Sequence, residues 1–462
     1  MKSTTKRAFV VFLLVAFFSA GLVYLAINLG TNAEKWATLR ANTHLVNDGS
    51  FIGAGNILDR NGVVLAETVD GERVYNNSER IRRSVLHIVG DSEGFIASGV
   101  QTAYKRELIG YNLVTGIYSL KKYERGNDVT LTLDASVSAV ALDALGSRKG
   151  VVALYNYETG EMLCSVSSPN FDIRNKPSSE DIEKNENGKY DGLYINRLLD
   201  GLYTPGSVFK IVTTACVLEN VSDISSWEYE CEEEMFINGV RVSCPKEHGK
   251  LNLETALVNS CNCAFAELSK KITPAQLEAT AKQFGFGKEF GFGNSTTAES
   301  ILNIEDASAS DLAWCSVGQY TTLANPYHML TIAGAIANDG TVKLPFVVKS
   351  IASPSGRKIS ETVAEETVYI TPETARELKK MMRKTVKENY GDWNFGEIKM
   401  CGKTGTAEVS ETEKPHSWFL GFCEDQKTPF AVVVVVENGG WGSSTALPVA
   451  SKVINEAVKT FS

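Results

Sequence analysis

Two residues near the middle of the chain, Ser207 and Lys210, have the types and spacing that could make a nucleophile. A serine hydroxyl becomes reactive when a neighbouring base removes its proton, and a lysine whose pKa is lowered by burial or by nearby cations can be that base. Residues three apart share one face of a helix, so the amine can reach the hydroxyl. The S-x-x-K spacing alone is weak support, because a helix N-terminus followed by a surface lysine has the same pattern.

Two further groups of residues could complete such a site. Ser260–Asn262 lies at the end of the amphipathic stretch LETALVNS, and taken alone it is more typical of an N-cap or a turn than of a catalytic group. Lys403–Thr406 precedes a region patterned as strands, and it could supply an ammonium group, hydroxyls for a substrate carboxylate and N–H groups for a developing oxyanion. Gly405 would let another backbone approach closely.

The elements around these groups follow from hydrophobic patterns. Asn56–Thr68 predicts two short strands joined by a turn, and Gly126–Asp134 alternates like a strand, so a small α+β domain should precede a boundary near Gly146–Gly150. After it, VVALYNYETGEMLCSV and, near the C-terminus, SWFLGFCEDQKTPFAVVVVVEN predict two hairpins. Ala431–Val436 is apolar on both faces and predicts a central strand. The mainly helical stretch between the hairpins, Val208–Asn338, should cover this sheet.

The N-terminus predicts a membrane anchor. Ala8–Leu29 carries no charge and is long enough to cross about 30 Å of hydrocarbon as a helix. The basic residues Lys2, Lys6 and Arg7 precede it, which favours a cytoplasmic N-terminus and export of the rest. A cleaved signal peptide is the alternative, but its apolar region usually runs about 7–15 residues. The length favours retention.

Composition bounds the remaining possibilities. A chain of 462 residues with 43% hydrophobic and 22% charged residues is expected to fold into two domains rather than one. Its net charge of −9 argues against nucleic acid as the main partner, because phosphate contacts need clustered Lys and Arg. The acidic segment Glu228–Glu234 is interpreted as a solvated loop.

The nine cysteines are too few for a disulfide scaffold, and their odd number leaves at least one thiol unpaired in a monomer. Cys231 and Cys244 bracket a predicted loop and could either pair or stay reduced. Cysteine and histidine are not clustered at zinc-finger spacing, and five scattered histidines argue against a histidine-rich metal centre. Cys261 is interpreted as filling space beside the second group.

With the three groups in this order, the sequence resembles the penicillin-recognising serine acyltransferases, whose signature is S-x-x-K, then S-x-N, then K-T-G. The anchor, the DRNG segment and the context NRLLDGLYTPGSVFK narrow the resemblance to class B penicillin-binding proteins. It covers nearly the whole chain and is strongest from Gly150 onwards. It implies an α+β fold: a penicillin-binding, serine β-lactamase-like transpeptidase domain with a central antiparallel sheet covered by helices, a smaller N-terminal α+β pedestal and one transmembrane helix.

The resemblance and the patterns together divide the chain into four parts. These are a cytoplasmic basic tail (1–7), a transmembrane anchor (8–29), an N-terminal pedestal or dimerisation-like domain (30–148) and the penicillin-binding transpeptidase domain (149–462). The expected location is the cell membrane, crossed once, with the catalytic domain outside the cytoplasm.

By motif position, the resemblance makes Ser207 the nucleophile and Lys210 its general base. Ser260 would relay a proton to the leaving amine, and Lys403 would tune the proton network of Ser260. The N–H groups of Ser207 and Thr406 would form the oxyanion hole. The substrate-binding residues would be Asn262, Thr404, Gly405 and Thr406.

The activity implied by the resemblance is that of a peptidoglycan D,D-transpeptidase. The serine attacks the penultimate D-Ala carbonyl of a pentapeptide stem, D-Ala leaves, and an amine of a neighbouring stem captures the acyl-enzyme. β-Lactams would acylate the same serine as covalent inhibitors. No metal or organic cofactor is implied, and the expected protein partner is a SEDS-type membrane glycan polymerase.

Three alternatives stay open from the sequence. A D,D-carboxypeptidase differs only in using water as the acceptor. A slow β-lactamase would need a second general base, which cannot be assigned. A penicillin-binding scaffold of the division or sporulation machinery would bind without reacting.

Overall fold

A computed structural model gives the structure of the chain and describes residues 2–37, 46–47, 50–51, 53–112, 125–410, 412–425 and 427–461. Within these residues the helices are α1 (Lys2–Ala37), α2 (Glu79–Ser84), α3 (Leu86–Val89), α4 (Val100–Ala103), α5 (Lys105–Leu108), α6 (Ala135–Leu145), α7 (Ser179–Lys184), α8 (Arg197–Asp200), α9 (Lys210–Asn220), α10 (Leu253–Val258), α11 (Asn262–Leu268), α12 (Pro274–Phe284), α13 (Ala309–Ser316), α14 (Pro326–Ala337), α15 (Pro372–Thr385) and α16 (Ala446–Phe461).

The strands in the same part of the chain are β1 (Val46–Asn47), β2 (Ser50–Phe51), β3 (Ile57–Leu58), β4 (Val64–Val69), β5 (Glu72–Tyr75), β6 (Asp128–Leu131), β7 (Gly150–Asn156), β8 (Met162–Ser168), β9 (Tyr229–Cys231), β10 (Glu234–Ile237), β11 (Val240–Ser243), β12 (Gly249–Leu251), β13 (Gly291–Phe292), β14 (Ser295–Thr296), β15 (Thr341–Lys343), β16 (Val348–Ala352), β17 (Lys358–Glu361), β18 (Glu366–Val368), β19 (Met400–Ala407), β20 (His416–Cys423) and β21 (Phe430–Val436).

Five strands form an antiparallel sheet in the order β19–β20–β21–β7–β8. Its middle strand, β21, pairs with β20 on one side and β7 on the other, and all its residues are buried. A strand covered on both faces needs apolar residues at every position. Both predicted hairpins and the predicted central strand are therefore confirmed.

Helices cover both faces of this sheet. The side chains of Val433 and Val435 belong to the hydrophobic cluster that includes α14, whereas those of Val432 and Val434 belong to the cluster that includes α6 and α16. Successive side chains of a strand point to opposite faces, so one strand supplies two cores. This is the expected α+β arrangement of a central antiparallel sheet covered by helices.

A second sheet of six strands, in the order β17–β16–β6–β3–β4–β5, joins distant parts of the chain. The predicted hairpin at Asn56–Thr68 is present as β3 and β4, and β6 runs parallel to β3. On its other side β6 pairs with β16, which follows α14 in the chain. This sheet thus joins strands from before residue 132 to strands from beyond residue 340, a pairing that the sequence patterns do not predict.

The acidic segment Glu228–Glu234 contains β9 and the start of β10, so its interpretation as a loop was wrong. β9 pairs with β12 and β10 pairs with β11, each in a two-stranded sheet. The acidic side chains between them are exposed while Cys231 is buried. Short edge strands often carry charged residues on their solvated face. A run of charges in the sequence therefore does not distinguish such strands from a loop.

Helix α1 carries the apolar N-terminal segment. The stretch Thr4–Ala33 is long enough to cross a membrane, and it contains an 18-residue window with a mean hydropathy of 2.7, none of which is buried in the described part of the chain. Large side chains along it are exposed, among them Phe12 and Phe17 at 67% and 74%. So large an exposed apolar surface is unfavourable in water and typical of a membrane or protein contact.

Candidate active site

Ser207 lies in a tight turn that precedes α9 and packs against β19, a strand almost 200 residues later in the chain. A single 3₁₀ turn, Gly206–Val208, leads into α9, and the side chain of Ser207 is half-buried. Gly206 has φ +56 and donates its N–H to the carbonyl oxygen of Gly318 (2.9 Å). A Cβ at Gly206 would lie 2.6 Å from the carbonyl oxygen of Thr406, so glycine permits the turn to touch β19.

Lys210, the first residue of α9, is fully buried with its amine beside Ser207. Its Nζ lies 3.2 Å from Ser207 Oγ, and it donates to the carbonyl oxygen of Ser260 and to Oδ1 of Asn262, both at 2.7 Å. Burial disfavours the charged amine and lowers the pKa of Lys210 to about 8. The amine is therefore able to become neutral near physiological pH and accept a proton.

The second group forms a turn between α10 and α11. Ser260 adopts φ +54, which is uncommon for a residue with a side chain, and Cys261 caps α11 by accepting the N–H of Ala264 (3.3 Å). Asn262 donates Nδ2 to the carbonyl oxygen of Ser243 (2.9 Å), which directs its Oδ1 towards Lys210. The turn thus presents a hydroxyl, a carbonyl and an amide to one buried amine.

Lys403 approaches the same hydroxyl from β19. Its amine is buried and donates to Ser260 Oγ (2.9 Å) and to the carbonyl oxygen of Thr404 (3.2 Å). Burial and, second, the charge of Lys210 lower the pKa of Lys403 well below its usual range. Ser207, Lys210, Ser260 and Lys403 therefore form one continuous hydrogen-bonded chain, and the structure brings all three motifs together as the sequence predicts.

The third group lies on β19, the strand at one edge of the five-stranded sheet as formed by the described residues. β19 pairs with β20 alone in that sheet, and the carbonyl oxygen of Thr406 faces Gly206. In an antiparallel strand the N–H and C=O of one residue point to the same side. The N–H of Thr406 therefore faces the turn that carries Ser207. A Cβ at Gly405 would lie 2.7 Å from the carbonyl oxygen of Pro205, so this residue also depends on having no side chain.

No sequence pattern points to Tyr390, which positions the same edge. Its buried hydroxyl accepts the N–H of Thr404 (2.9 Å) and lies 2.8 Å from Thr404 Oγ1. Tyr390 stands in the π-helical turn Val386–Tyr390 that follows α15, among charged residues, where a surface position would be expected. Thr406 is held differently, because its Oγ1 accepts the N–H of Gly442 (3.2 Å).

A family model described as the penicillin binding protein transpeptidase domain matches residues 150–456. Among curated proteins, a peptidoglycan D,D-transpeptidase PbpA of Mycolicibacterium smegmatis is 29% identical over 72% of this chain and 73% of its own length. The stage V sporulation protein D of Bacillus subtilis is 26% identical over 87% of this chain and 66% of its own length.

Solved structures resemble the chain over most of its length. The D,D-transpeptidase domain of a peptidoglycan glycosyltransferase from Eggerthella lenta superposes with a TM-score of 0.75, at 29% identity, covering 88% of this chain and 98% of that one. The ceftriaxone acyl-enzyme complex of penicillin-binding protein A from M. tuberculosis gives 0.76 at 26% identity, covering 87% and 98%. The fold class expected from the sequence is confirmed by these matches.

Proposed function

The chain belongs to the family of penicillin-binding protein transpeptidases, and from that premise we propose that it is a peptidoglycan D,D-transpeptidase that works through an acyl-enzyme on Ser207. The observation that carries this proposal is the chain of hydrogen bonds from Ser207 through Lys210 and Ser260 to Lys403, beside the edge strand β19. The relatives named peptidoglycan D,D-transpeptidase support the substrate and the reaction class.

The first step is the attack of Ser207 on the penultimate D-Ala carbonyl of a pentapeptide stem. Neutral Lys210 takes the hydroxyl proton as Oγ bonds to the carbonyl carbon, because its amine is 3.2 Å from that oxygen. The developing oxyanion is stabilised by the N–H groups of Ser207 and Thr406. Donors that are already oriented cost no reorganisation when the charge forms.

The second step releases D-Ala and transfers the acyl group. Ser260 hands a proton to the leaving nitrogen, and it is placed to receive one from either Lys210 or Lys403, which lie 3.4 and 2.9 Å from its Oγ. An amine of a neighbouring stem then attacks the ester carbonyl, gives up a proton through the same groups, and Ser207 regains its hydroxyl.

The substrate is held along β19 and the second motif. In this proposal Thr404 and Thr406 bind the terminal carboxylate, Asn262 hydrogen-bonds the peptide stem, and Gly405 lets substrate and turn lie close to the strand. β-Lactams would acylate Ser207 in place of the dipeptide. The ceftriaxone acyl-enzyme complex of a similar protein supports this expectation.

Hydrolytic alternatives differ in the acceptor. Among the residues that the structure describes, the hydrogen-bond partners of Ser207, Lys210 and Lys403 include no carboxylate that could activate water. This favours transfer to an amine over a β-lactamase, while a D,D-carboxypeptidase is separated from a transpeptidase only by its product.

The test is intact-protein mass spectrometry after penicillin treatment, with peptide mapping of the adduct, followed by reaction with pentapeptide and a stem amine. We expect one penicillin adduct on Ser207, none in Ser207→Ala, and a cross-linked product. Tetrapeptide alone would indicate a carboxypeptidase, loss of the adduct within minutes a β-lactamase, and an adduct without any peptide product a scaffold. An adduct that survives Ser207→Ala would refute the site.

We further propose that residues 8–29 span the membrane, with 1–7 in the cytoplasm and with the pedestal (30–148) and transpeptidase domain (149–462) outside. The exposed apolar surface of α1 supports the anchor. The transmembrane helix and pedestal would contact a SEDS-type glycan polymerase. Crosslinking from residues of α1 in intact membranes should capture that polymerase. If the polymerase still associates with a chain in which α1 is replaced by an unrelated anchor, the contact lies in the pedestal instead.

A further inference from the structure

Four metal-ligating side chains converge behind the second motif. Cys231 Sγ lies 4.0 Å from Cys244 Sγ and 3.6 Å from Nδ1 of His248, and Cys244 Sγ lies 3.6 Å from Cys261 Sγ. The four ligand atoms all lie within 4.8 Å of one another. The cysteines are buried and His248 is half-buried, and each thiol is free.

The four residues come from three segments of the small strand region, because Cys244 and His248 begin and end the short connection from β11 to β12. Cys231 ends β9, Cys244 follows β11, His248 precedes β12 and Cys261 caps α11. β9 pairs with β12, so Cys231 and the residue before β12, His248, are held side by side. A cluster assembled from separate elements is fixed by the fold rather than by a short local motif.

The separations fit a tetrahedral ion. With Zn–S bonds of about 2.3 Å and Zn–N bonds of about 2.0–2.1 Å, tetrahedral angles place sulfurs about 3.8 Å apart and a sulfur and a nitrogen about 3.6 Å apart. The recorded neighbouring pairs, at 3.6–4.0 Å, match these edges. A disulfide between Cys231 and Cys244 would instead need the sulfurs at about 2.05 Å.

Backbone N–H groups point at two of the sulfurs. Cys261 Sγ accepts the N–H of Ala264 (3.3 Å), and Cys244 Sγ accepts the N–H of Cys263 (3.5 Å). Backbone donors aimed at sulfur stabilise its charged form and orient a ligating residue. Three thiolates and one imidazole form a soft donor set of the kind that zinc prefers.

We propose that Cys231, Cys244, His248 and Cys261 bind one Zn²⁺ in a closed, structural site. Binding replaces the three thiol protons, which pass to solvent, with three Zn–S bonds, and the neutral imidazole supplies the fourth ligand. Four protein ligands leave no position for water or substrate, so the ion stabilises structure and does not take part in acyl transfer.

The ion would hold the turn that carries the second motif. Cys261 stands between Ser260 and Asn262, both of which contact the amine of Lys210. Ser260 has a φ of +54 that its surroundings must maintain. Fixing Cys261 from behind would therefore fix both neighbours. This consequence for Ser207 chemistry rests on the proposed function, whereas zinc binding itself does not.

Cys263 provides a matched control. Its Sγ lies 3.6 Å from Cys244 Sγ and 3.5 Å from the carbonyl oxygens of both Glu233 and Val242, and it is outside the group of four. Cys263→Ser removes a buried thiol from the same region without removing a proposed ligand.

The experiment measures metal content in the full chain, purified in detergent under reducing conditions without chelators or metal-affinity resin. We expect about one zinc per chain, the stoichiometry of a closed four-ligand site, in the parent and in Cys263→Ser, and at least a roughly tenfold drop in Cys231→Ser and His248→Ala. Chains without zinc, with iron in its place, or with unchanged zinc in both ligand variants would overturn the proposal.

A second measurement uses only the parent chain, so its result does not depend on whether the variants fold. Zinc is removed from the parent chain with a chelator and replaced by Co²⁺, which should give the visible and near-ultraviolet absorption of a tetrahedral thiolate complex. Octahedral Co²⁺ spectra would overturn the site. Zinc removal should also slow penicillin acylation by roughly 10–100-fold, the scale of a small misplacement in an active site, with recovery on adding zinc. If zinc binds as described and acylation is absent throughout, the proposed function fails and the zinc site stands.

Discussion

At the scale of single residues, the nucleophile of the proposed site is accessible while the two amines that could exchange its proton are buried. Ser207 is half-buried and open to a substrate, while Lys210 and Lys403 are buried. Burial makes the charged form of each amine costly, and the two amines also repel each other, so at least one is readily neutral. A neutral lysine amine can therefore serve as the general base in this site, with no need for a histidine or a carboxylate.

Acylation should depend on pH through Lys210. Its pKa is about 8, lowered mainly by burial, and the titratable groups near its amine are Lys403, Cys244, Cys261 and Cys263. The neutral amine is the active form, so the rate of penicillin acylation should rise with pH through this value and fall about tenfold per unit below it. Stopped-flow or quenched labelling between about pH 6 and 9 measures this, with the thermal midpoint at each pH as the control. A flat rate over that range would exclude Lys210 as the base.

Tyr390 should position Thr404 without reacting. Tyr390→Phe removes the acceptor for the N–H of Thr404, and a buried donor left unpaired costs about 1–3 kcal/mol. We expect the KM for pentapeptide to rise about tenfold with a smaller change in kcat. Tyr369→Phe is the control, because its hydroxyl contacts Thr331 in the core. Equal effects of the two substitutions on KM would show that Tyr390 has only a structural role.

The residues of the three motifs could be predicted, but some of their neighbours could not. Ser207 and Lys210 are three apart, so helix geometry alone brings them together. Tyr390 reaches Thr404 only because a π-helical turn folds back on β19. The cysteine and histidine cluster does not follow from local spacing, because its contacting pairs Cys231–His248 and Cys244–Cys261 are each 17 positions apart and only the fold brings them together.

At the scale of elements, the turn carrying Ser207 and the strand β19 are in direct contact at two glycines. A Cβ on Gly405 would lie 2.7 Å from the carbonyl oxygen of Pro205, and one on Gly206 would lie 2.6 Å from that of Thr406. Contacts between Cβ and backbone oxygen at such distances cannot persist, so an alanine must push the two elements apart. The oxyanion-binding N–H groups of the proposed site come one from each element.

Gly405→Ala should therefore separate those two N–H groups. We expect penicillin acylation to slow by roughly 100-fold, as for a displacement near 1 Å in an active site, and the thermal midpoint to fall. Gly291→Ala is the matched control, since a Cβ there meets nothing within 4 Å. Acylation by Gly405→Ala at the parent rate would contradict the proposed oxyanion hole.

Element predictions succeeded where pairing is local. The hairpins of β7 with β8 and of β20 with β21 connect neighbouring segments, so alternation and turn residues predict them. The pairing of β6 with β16 spans more than 200 positions, and nothing in either segment encodes it. Hydrophobic patterns identify strands but not their distant partners.

At the scale of the whole molecule, α1 is unlike every other described helix in leaving its apolar residues exposed. If it spans the membrane, charges at its centre should be costly, about 2.5–3.5 kcal/mol for each arginine. Leu14→Arg combined with Phe18→Arg should therefore shift the chain out of the membrane fraction that resists alkaline extraction. Thr4→Arg, at the helix end, is the control.

The intact mass of the parent protein adds a second check on the anchor. A mass that includes residues 1–30 supports retention, whereas loss of this segment would identify a cleaved signal peptide instead.

The six-stranded sheet has a practical consequence for dissecting the protein. Because β16 bonds to β6, a fragment that starts at Gly150 would lose that neighbour and leave one border of β16 bare. Bare borders recruit strands from other copies, so such a fragment should self-associate, as light scattering would reveal. A fragment that starts just after α1 would keep the pairing of β6 with β16 and stay monodisperse. A soluble version of the protein should therefore begin at the end of α1 rather than at Gly150.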